Sequence, residues 1–254
     1  MSEAQDLFAV LRQSADGDCV NALERLVRDA PDRKLARINA PAFAKAEGLD
    51  EERMITAFLQ AARIGLFDLS WNVLCPSCCG VLDANASLRS VRSGEYHCAF
   101  CNLDNEPTLD EMVEVTFTVS PRARRIAAHN ADELPLWEYY RQVFWGSGVD
   151  LPDNDLEATL QQITLDAVEL PAGEKALLSL QLPASFIIVL EPVTHTAQFI
   201  DVKGEPTSDR QALSVVYNNL RSPGATLEMR PGPIRLSLEN RTGTRVLPTV
   251  WVVS

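Results

Sequence analysis

Apolar positions in the first half of the chain recur first at a helical period and then at a strand period. Leu7, Val10 and Leu11 share one helical face, and Val20, Leu23, Leu26 and Val27 share another, with Asp18 placed to cap the second helix. Ala30-Pro31-Asp32 interrupts the pattern, and Leu35–Ile38 reads as a short strand or a helix end. Asn39 is a cap with Pro41 in the first turn, so a short helix is expected over Pro41–Glu47, ended by Gly48. Asp50 caps a longer helix in which Ile55, Leu59 and Ala62 repeat at i, i+4 and i+7; Met54 and Phe58 widen the stripe and Gly65 stops it. Short helix, tight turn and longer helix make up helix-turn-helix grammar. The period then drops to two. Leu66–Leu74 reads as a strand carrying Trp71, and over Met112–Val119 the residues Val113, Val115, Phe117 and Val119 alternate with Glu114, Thr116 and Thr118.

Residues 120–155 read as a connector. Arg122, Arg124 and Arg125 form a basic cluster there, and Trp137, Tyr140 and Phe144 fall at helical spacing beside Tyr139, Val143 and Trp145. That aromatic stripe either latches the two halves of the chain together or docks a partner. Gly146-Ser147-Gly148 and Leu151-Pro152-Asp153-Asn154 mark a boundary. Beyond it, short strands are expected over Thr159–Val168, Ala176–Gln181, Phe186–Leu190, Thr196–Val202, Ala212–Tyr217, Thr226–Met229, Ile234–Glu239 and Val246–Val253. Pro171-Ala172-Gly173, Ser222-Pro223-Gly224 and Pro231-Gly232-Pro233 supply turns between them. The expected fold class is α+β: a winged-helix-like helical part with a zinc-ribbon insertion in the wing, then an antiparallel β-sandwich or jelly roll. The expected division is 1–120 (ribbon about 70–118), a helical connector at 121–155, and a β-sandwich at 156–254.

Composition narrows the function. At 254 residues with 46% apolar content, the chain can fill ordinary cores. Acidic residues outnumber basic ones 35 to 23, a formal charge of −12, which disfavours a general nucleic-acid binder because phosphate contacts need clustered Lys and Arg. No charged-then-apolar leader opens the sequence and the longest aliphatic or aromatic run, Phe186–Leu190, is too short to span a bilayer; a cytoplasmic protein with no membrane partner is expected. No phosphate-binding glycine loop and no H-E-x-x-H occurs, and none of the three histidines at 97, 129 and 195 is placed beside a candidate nucleophile. His195 is expected to be a satisfied strand residue. Catalytic residues and organic cofactor sites are expected to be absent.

The chemistry that is present sits in Cys75-Pro76-Ser77-Cys78 and Cys98-Ala99-Phe100-Cys101. Two Cys-x-x-Cys pairs place four thiolates where one tetrahedral zinc ion joins two chain reversals, with Zn–S bonds of about 2.3 Å. Cys75, Cys78, Cys98 and Cys101 are the expected ligands of a structural Zn2+, since four sulfurs leave no position for a reacting water. Each reversal favours a residue that tolerates positive φ after its second cysteine. Asn102 suits that place in the second pair. In the first pair Cys79 holds it, with Gly80 one step later, so a Cys75/Cys79 pairing competes with Cys75/Cys78; His97 is a substitute nitrogen ligand, and free thiols or a disulfide are the alternative to a metal.

Together with Leu66-Phe67-Asp68-Leu69-Ser70-Trp71, the stretch Val113–Pro121 (VEVTFTVSP) and Arg230-Pro231-Gly232-Pro233-Ile234-Arg235-Leu236, these cysteines give a pattern that resembles the region preceding the catalytic domain in certain bacterial class III adenylate/guanylate cyclase-type proteins. The resemblance runs from about residue 20 to the end, closest around the cysteines and looser in the strands behind. It implies a regulatory or scaffold region that works with a nucleotidyl cyclase domain, in cis or in trans, or with another protein domain. The cyclase domain itself, with its paired metal-binding aspartates, is not in this sequence, so only the four cysteines carry over, as ligands. A ligand-sensing or homodimer-forming role for the sandwich is compatible with that reading. The alternative, from a different class, is a DNA-binding transcriptional regulator that uses the helix-turn-helix and the ribbon. Against it stand Asp50, Glu51 and Glu52, which would bring carboxylates to the phosphates.

Overall fold

Local capping sets the helices of the first half. In the computed structural model, which describes residues 3–91, 94–106, 108–152, 155–218 and 225–253, helix α1 (Glu3–Leu11) is followed by α2 (Gly17–Asp29), α3 (Ala40–Glu47) and α4 (Glu51–Arg63). Asp16 caps α2, its carboxylate accepting from the backbone N–H of Asp18 and Cys19 at 3.0 and 3.2 Å. Asp18, expected in that role, lies inside the first turn, because Asp16 is the residue whose backbone leaves the helix. Asn39 caps α3 through the Ala42 N–H (2.9 Å), Gly48 ends it at φ 68°, and Asp50 caps α4 through the Arg53 N–H (3.0 Å).

Two compact units divide the chain: Met1–Gly94 with Pro107–Asp150, and Glu95–Glu106 with Leu151–Ser254. The fold class is α+β. In the first unit, strands β1 (Phe67–Leu74) and β2 (Val81–Asn85) precede β3 (Tyr96–Cys98) and β4 (Leu103–Asn105), which belong with the second; α5 (Leu109–Met112) then leads into β5 (Val113–Val119). β2, β1 and β5 form an antiparallel sheet in that order, with Trp71 opposite both Asn85 and Val115.

The core of this unit corrects two expected faces. α4 buries Met54, Ala57, Phe58 and Ala61, while Leu59 is 47% exposed and Ile55 and Ala62 only half-buried. The reason is aromatic packing: Phe58 stacks on Phe117 at 4.8 Å between centroids and meets Phe67 edge-on at 5.2 Å, and these contacts turn the helix. In α1, likewise, Phe8 and Leu11 are buried and Val10 is exposed. On β5, Thr116 is fully buried although it belongs to the polar set, because the Asn72 carboxamide, also fully buried, donates to its hydroxyl at 2.9 Å. Asn72 also donates to Glu114 (3.1 Å), which accepts from the Ser147 N–H (3.0 Å) and hydroxyl (2.8 Å), so the polar face of the sheet carries its own hydrogen-bond network. Helix α6 (Leu136–Tyr139) and a π-helical turn over Tyr140–Phe144 carry the aromatic stripe, of which Tyr139, Tyr140 and Phe144 are buried.

In the second unit, α7 (Leu156–Gln161) precedes β6 (Thr164–Ala167), where one strand over Thr159–Val168 was expected; the Thr164 hydroxyl donates to the Leu160 carbonyl and closes the helix. The remaining strands are β7 (Lys175–Leu182), β8 (Phe186–Glu191), β9 (Thr196–Val202), β10 (Gln211–Tyr217), β11 (Thr226–Met229), β12 (Gly232–Asn240) and β13 (Thr249–Val253). They form a five-stranded sheet, β11-β9-β8-β13-β6, and a three-stranded sheet, β10-β12-β7. Leu182, Ile187, Val189, Ile200, Leu236 and Val250, drawn from both sheets, meet in one core. The expectation of wholly antiparallel pairing is corrected at two places, since β10 runs parallel to β12 and β11 parallel to β9. Crossing chain segments, rather than hairpins, bring those strands together, and hydrophobic alternation reads the same in either direction. Asn240 ties the loops: its Nδ2 donates to the carbonyls of Leu170, Pro171 and Thr244 at 2.8–3.0 Å, and its Oδ1 accepts from the Thr242 N–H and hydroxyl. The turn expected at Ser222-Pro223-Gly224 lies outside the described residues, as do Asp153 and Asn154.

Candidate metal centre

The first chain reversal starts where β1 ends. Cys75 is fully buried, its N–H donates to the Gly80 carbonyl (2.8 Å), and the Cys79 N–H donates back to the Cys75 carbonyl (2.8 Å). This tight loop needs the residue after Cys78 in left-handed geometry, and Cys79 takes φ 57°. The second reversal repeats it. Cys98 closes β3, Leu103 opposite it opens β4, and Asn102 takes φ 53°. The two loops thus match position for position, with Cys79 as the counterpart of Asn102.

The Sγ atoms of Cys75, Cys78, Cys98 and Cys101 all lie within 4.8 Å of one another. Tetrahedral coordination with Zn–S bonds of about 2.3 Å puts sulfurs roughly 3.8 Å apart, so this spacing can close on an ion with small side-chain shifts. The donor set fits zinc: four soft thiolates, two buried and two half-buried. All six cysteines are free of disulfides, and Cys79 is exposed and outside the cluster. His97 is outside it too. Its Nδ1 sits 2.8 Å from the Asp104 carboxylate, while Nε2 has no hydrogen-bond partner among the described residues.

Sequence reasoning missed what backs the first loop. Gly80 bridges to Trp145, the Gly146 N–H donates to the Cys79 carbonyl (2.8 Å), and Phe144 lies against Gly80. An added Cβ at Gly146 would fall 2.8 Å from Leu74 Cδ1 and 3.3 Å from the Cys79 oxygen. Trp145-Gly146 therefore lies on the cysteine loop because no side chain intervenes. The one sequence signal was the aromatic run ending in glycine. In the second unit Phe100, between Cys98 and Cys101, meets Trp251 edge-on at 5.8 Å.

The remaining chemical candidates are structural. His129 uses both ring nitrogens, Nε2 toward the Val119 carbonyl (2.7 Å) and Nδ1 accepting from the Ile126 N–H (3.1 Å). His195, expected in a strand, sits in the turn between β8 and β9 at φ 52°. Arg122 pairs with Glu3, and Arg124 donates to the Val27 and Ala30 carbonyls and to Asp32, so two arginines of the basic cluster staple the helices of their own unit. Glu191 is a fully buried carboxylate at the end of β8. Burial pushes its pKa up, opposed by hydrogen bonds from Thr194, Leu247 and Val193. Those donors account for it as the organiser of the 192–195 turn. Among the described residues, no helix is long and apolar enough to cross a membrane.

Fold and site together define an α+β protein with a four-cysteine centre able to hold a metal ion. Residues 1–254 match the model described as "Family of unknown function (DUF5939)", and the chain belongs to that family. No curated protein and no solved structure matches it.

Proposed function

We propose that this chain is a zinc-binding regulatory or scaffold module, itself without catalytic chemistry, that positions or controls a nucleotidyl cyclase domain in cis or in trans. The convergence of four cysteine sulfurs carries the proposal. A shell of four thiolates is closed to substrate and water, so the ion acts as a clamp on the two loops. Its binding contributes on the order of 10 kcal/mol to folding around them. The short helix–turn–longer helix of α3 and α4, leading into β1 and β5 with the cysteine loops between those strands, supports a winged-helix-like part with a zinc ribbon in its wing. The core drawn from two sheets supports a β-sandwich behind it. The cyclase link rests on the resemblance around the cysteines and the flanking strands. A protein partner is preferred to DNA because Glu51 and Glu52, both exposed in the first turn of α4, would face the phosphates. Free thiols suit a reducing cytoplasm.

Elemental analysis of the purified chain is expected to give one zinc per molecule, lost in Cys98→Ser. A folded, metal-free protein refutes the centre. Adding the zinc-loaded chain to a class III catalytic domain from the same genome is expected to change its rate of cyclic-nucleotide formation. An unchanged rate refutes the cyclase link while leaving the metal centre standing.

A further inference from the structure

Helix α4 is apolar on two sides. Met54, Ala57, Phe58 and Ala61 fill the core, whereas Ile55 packs half-buried at its edge and Leu59 is exposed. A helix in a globular unit needs one apolar face, and a second face needs a partner of its own. The sheet repeats the pattern: Leu69 and Trp71 of β1, and Val113 and Val115 of β5, share one face and are only half-buried. Both sets line a hollow of about 520 Å³. Small-molecule sites typically enclose about 300–1,000 Å³ behind a mostly apolar lining.

The polar lining restricts the occupant. Among the described residues, no lysine, arginine or histidine contributes to it. Its one ionisable residue, Glu114, sends its side chain from the other face of the sheet, where it accepts from Asn72 and twice from Ser147, so an anion in the hollow would lose its hydration and meet no cationic side chain in the described lining. Asn39 also lines the hollow, and its Oδ1 is occupied in capping α3, which leaves the Nδ2 donor to offer a ligand. We propose that the hollow binds a neutral, largely apolar small molecule with one hydrogen-bond acceptor such as a carbonyl oxygen. Trp71, Ile55 and Leu59 hold its body and Asn39 its acceptor. No cysteine lines the site, and the proposal stands apart from zinc.

Prodan, a neutral naphthyl ketone with environment-sensitive emission, is the probe, titrated into the full chain. Saturable single-site binding with blue-shifted emission is expected. The anionic anilinonaphthalene sulfonate is expected to bind at least about tenfold more weakly, the equivalent of one uncompensated polar contact. Leu59→Glu changes an exposed position and is expected to weaken prodan by about tenfold or more. Asn39→Asp keeps a good helix cap but replaces the donor with a carboxylate, and is expected to cost about tenfold with an unchanged circular-dichroism melt. Non-saturating prodan, sulfonate binding of equal strength, or wild-type affinity in a folded Leu59→Glu protein overturns the proposal.

Discussion

A methyl group added at Gly80 tests the cysteine loop from the side that sequence reasoning did not see. An alanine Cβ there would stand 3.3 Å from Cys78 Sγ and 3.6 Å from the Phe144 ring. Ordinary non-bonded contacts lie near 3.5–4.0 Å, roughly, so one neighbour must give by a few tenths of an ångström. Phe144 is buried and held edge-on by Tyr140 and Trp145, while the Gly80 carbonyl is tied to the Cys75 N–H. The Cys78 sulfur is therefore the atom that moves. Gly80 does not use left-handed backbone, so the effect is steric and not conformational. Overpacking of this kind costs about 1–3 kcal/mol. Taken wholly from the bound state, that is roughly 5- to 150-fold in metal affinity, the range in which outer-shell changes at metal sites fall. Gly80→Ala is thus expected to bind zinc about tenfold to a hundredfold more weakly in competition with a chelating dye. Its cobalt-substituted form should also show an altered visible spectrum. Gly148→Ala, whose added Cβ meets nothing within 4 Å, is the control. Wild-type zinc affinity in Gly80→Ala, or an equal loss in Gly148→Ala, refutes the reasoning.

Other changes test the two cores and the surface charge. Phe58→Ala removes the ring at the centre of the first core and is expected to cost about 3–5 kcal/mol in denaturant unfolding; a loss under about 1 kcal/mol contradicts the packing described. Asn240→Ala strands three carbonyls and two Thr242 donors and is expected to destabilise the second unit by roughly 2–4 kcal/mol, read from thermal melts, whereas a neutral outcome means those groups find other partners. Glu239 is held down to about 2 by hydrogen bonds from Arg241 and Lys175, against an ordinary value of 4.5. The folded protein thus binds that proton less tightly than the unfolded chain, so these pairs contribute fully above pH 4.5 and their contribution is lost as pH falls toward about 2. Glu239→Gln should flatten the acid limb of the stability profile over that window at low salt; an unchanged slope contradicts the pairing.

Local chemistry was the legible part. Asn39, Gly48 and Asp50 do what their residue types promise, because a cap is decided by atoms within three residues of chain. Cys-x-x-Cys spacing is of the same kind, since two residues between sulfurs largely set the reach of each loop. Left-handed geometry at Cys79, matching Asn102, leaves Cys78 as the residue in the cluster, a choice that spacing had left open. Most strands of the second unit were also visible, bounded as they are by proline and glycine turns.

The sequence alone therefore determined most of the elements, several of their caps and the two Cys-x-x-Cys loops, all properties of neighbours along the chain. Which side of α4 turns inward was decided only by tertiary structure, because Phe58 finds Phe117 across a long stretch of sequence and the two nearly equal apolar stripes cannot choose between themselves. Distance along the chain likewise hid the parallel pairing of β10 with β12 and the seat of Trp145-Gly146 on the first cysteine loop. Side-chain periodicity records that a face is apolar; the identity of the surface it meets is written only in the packed fold.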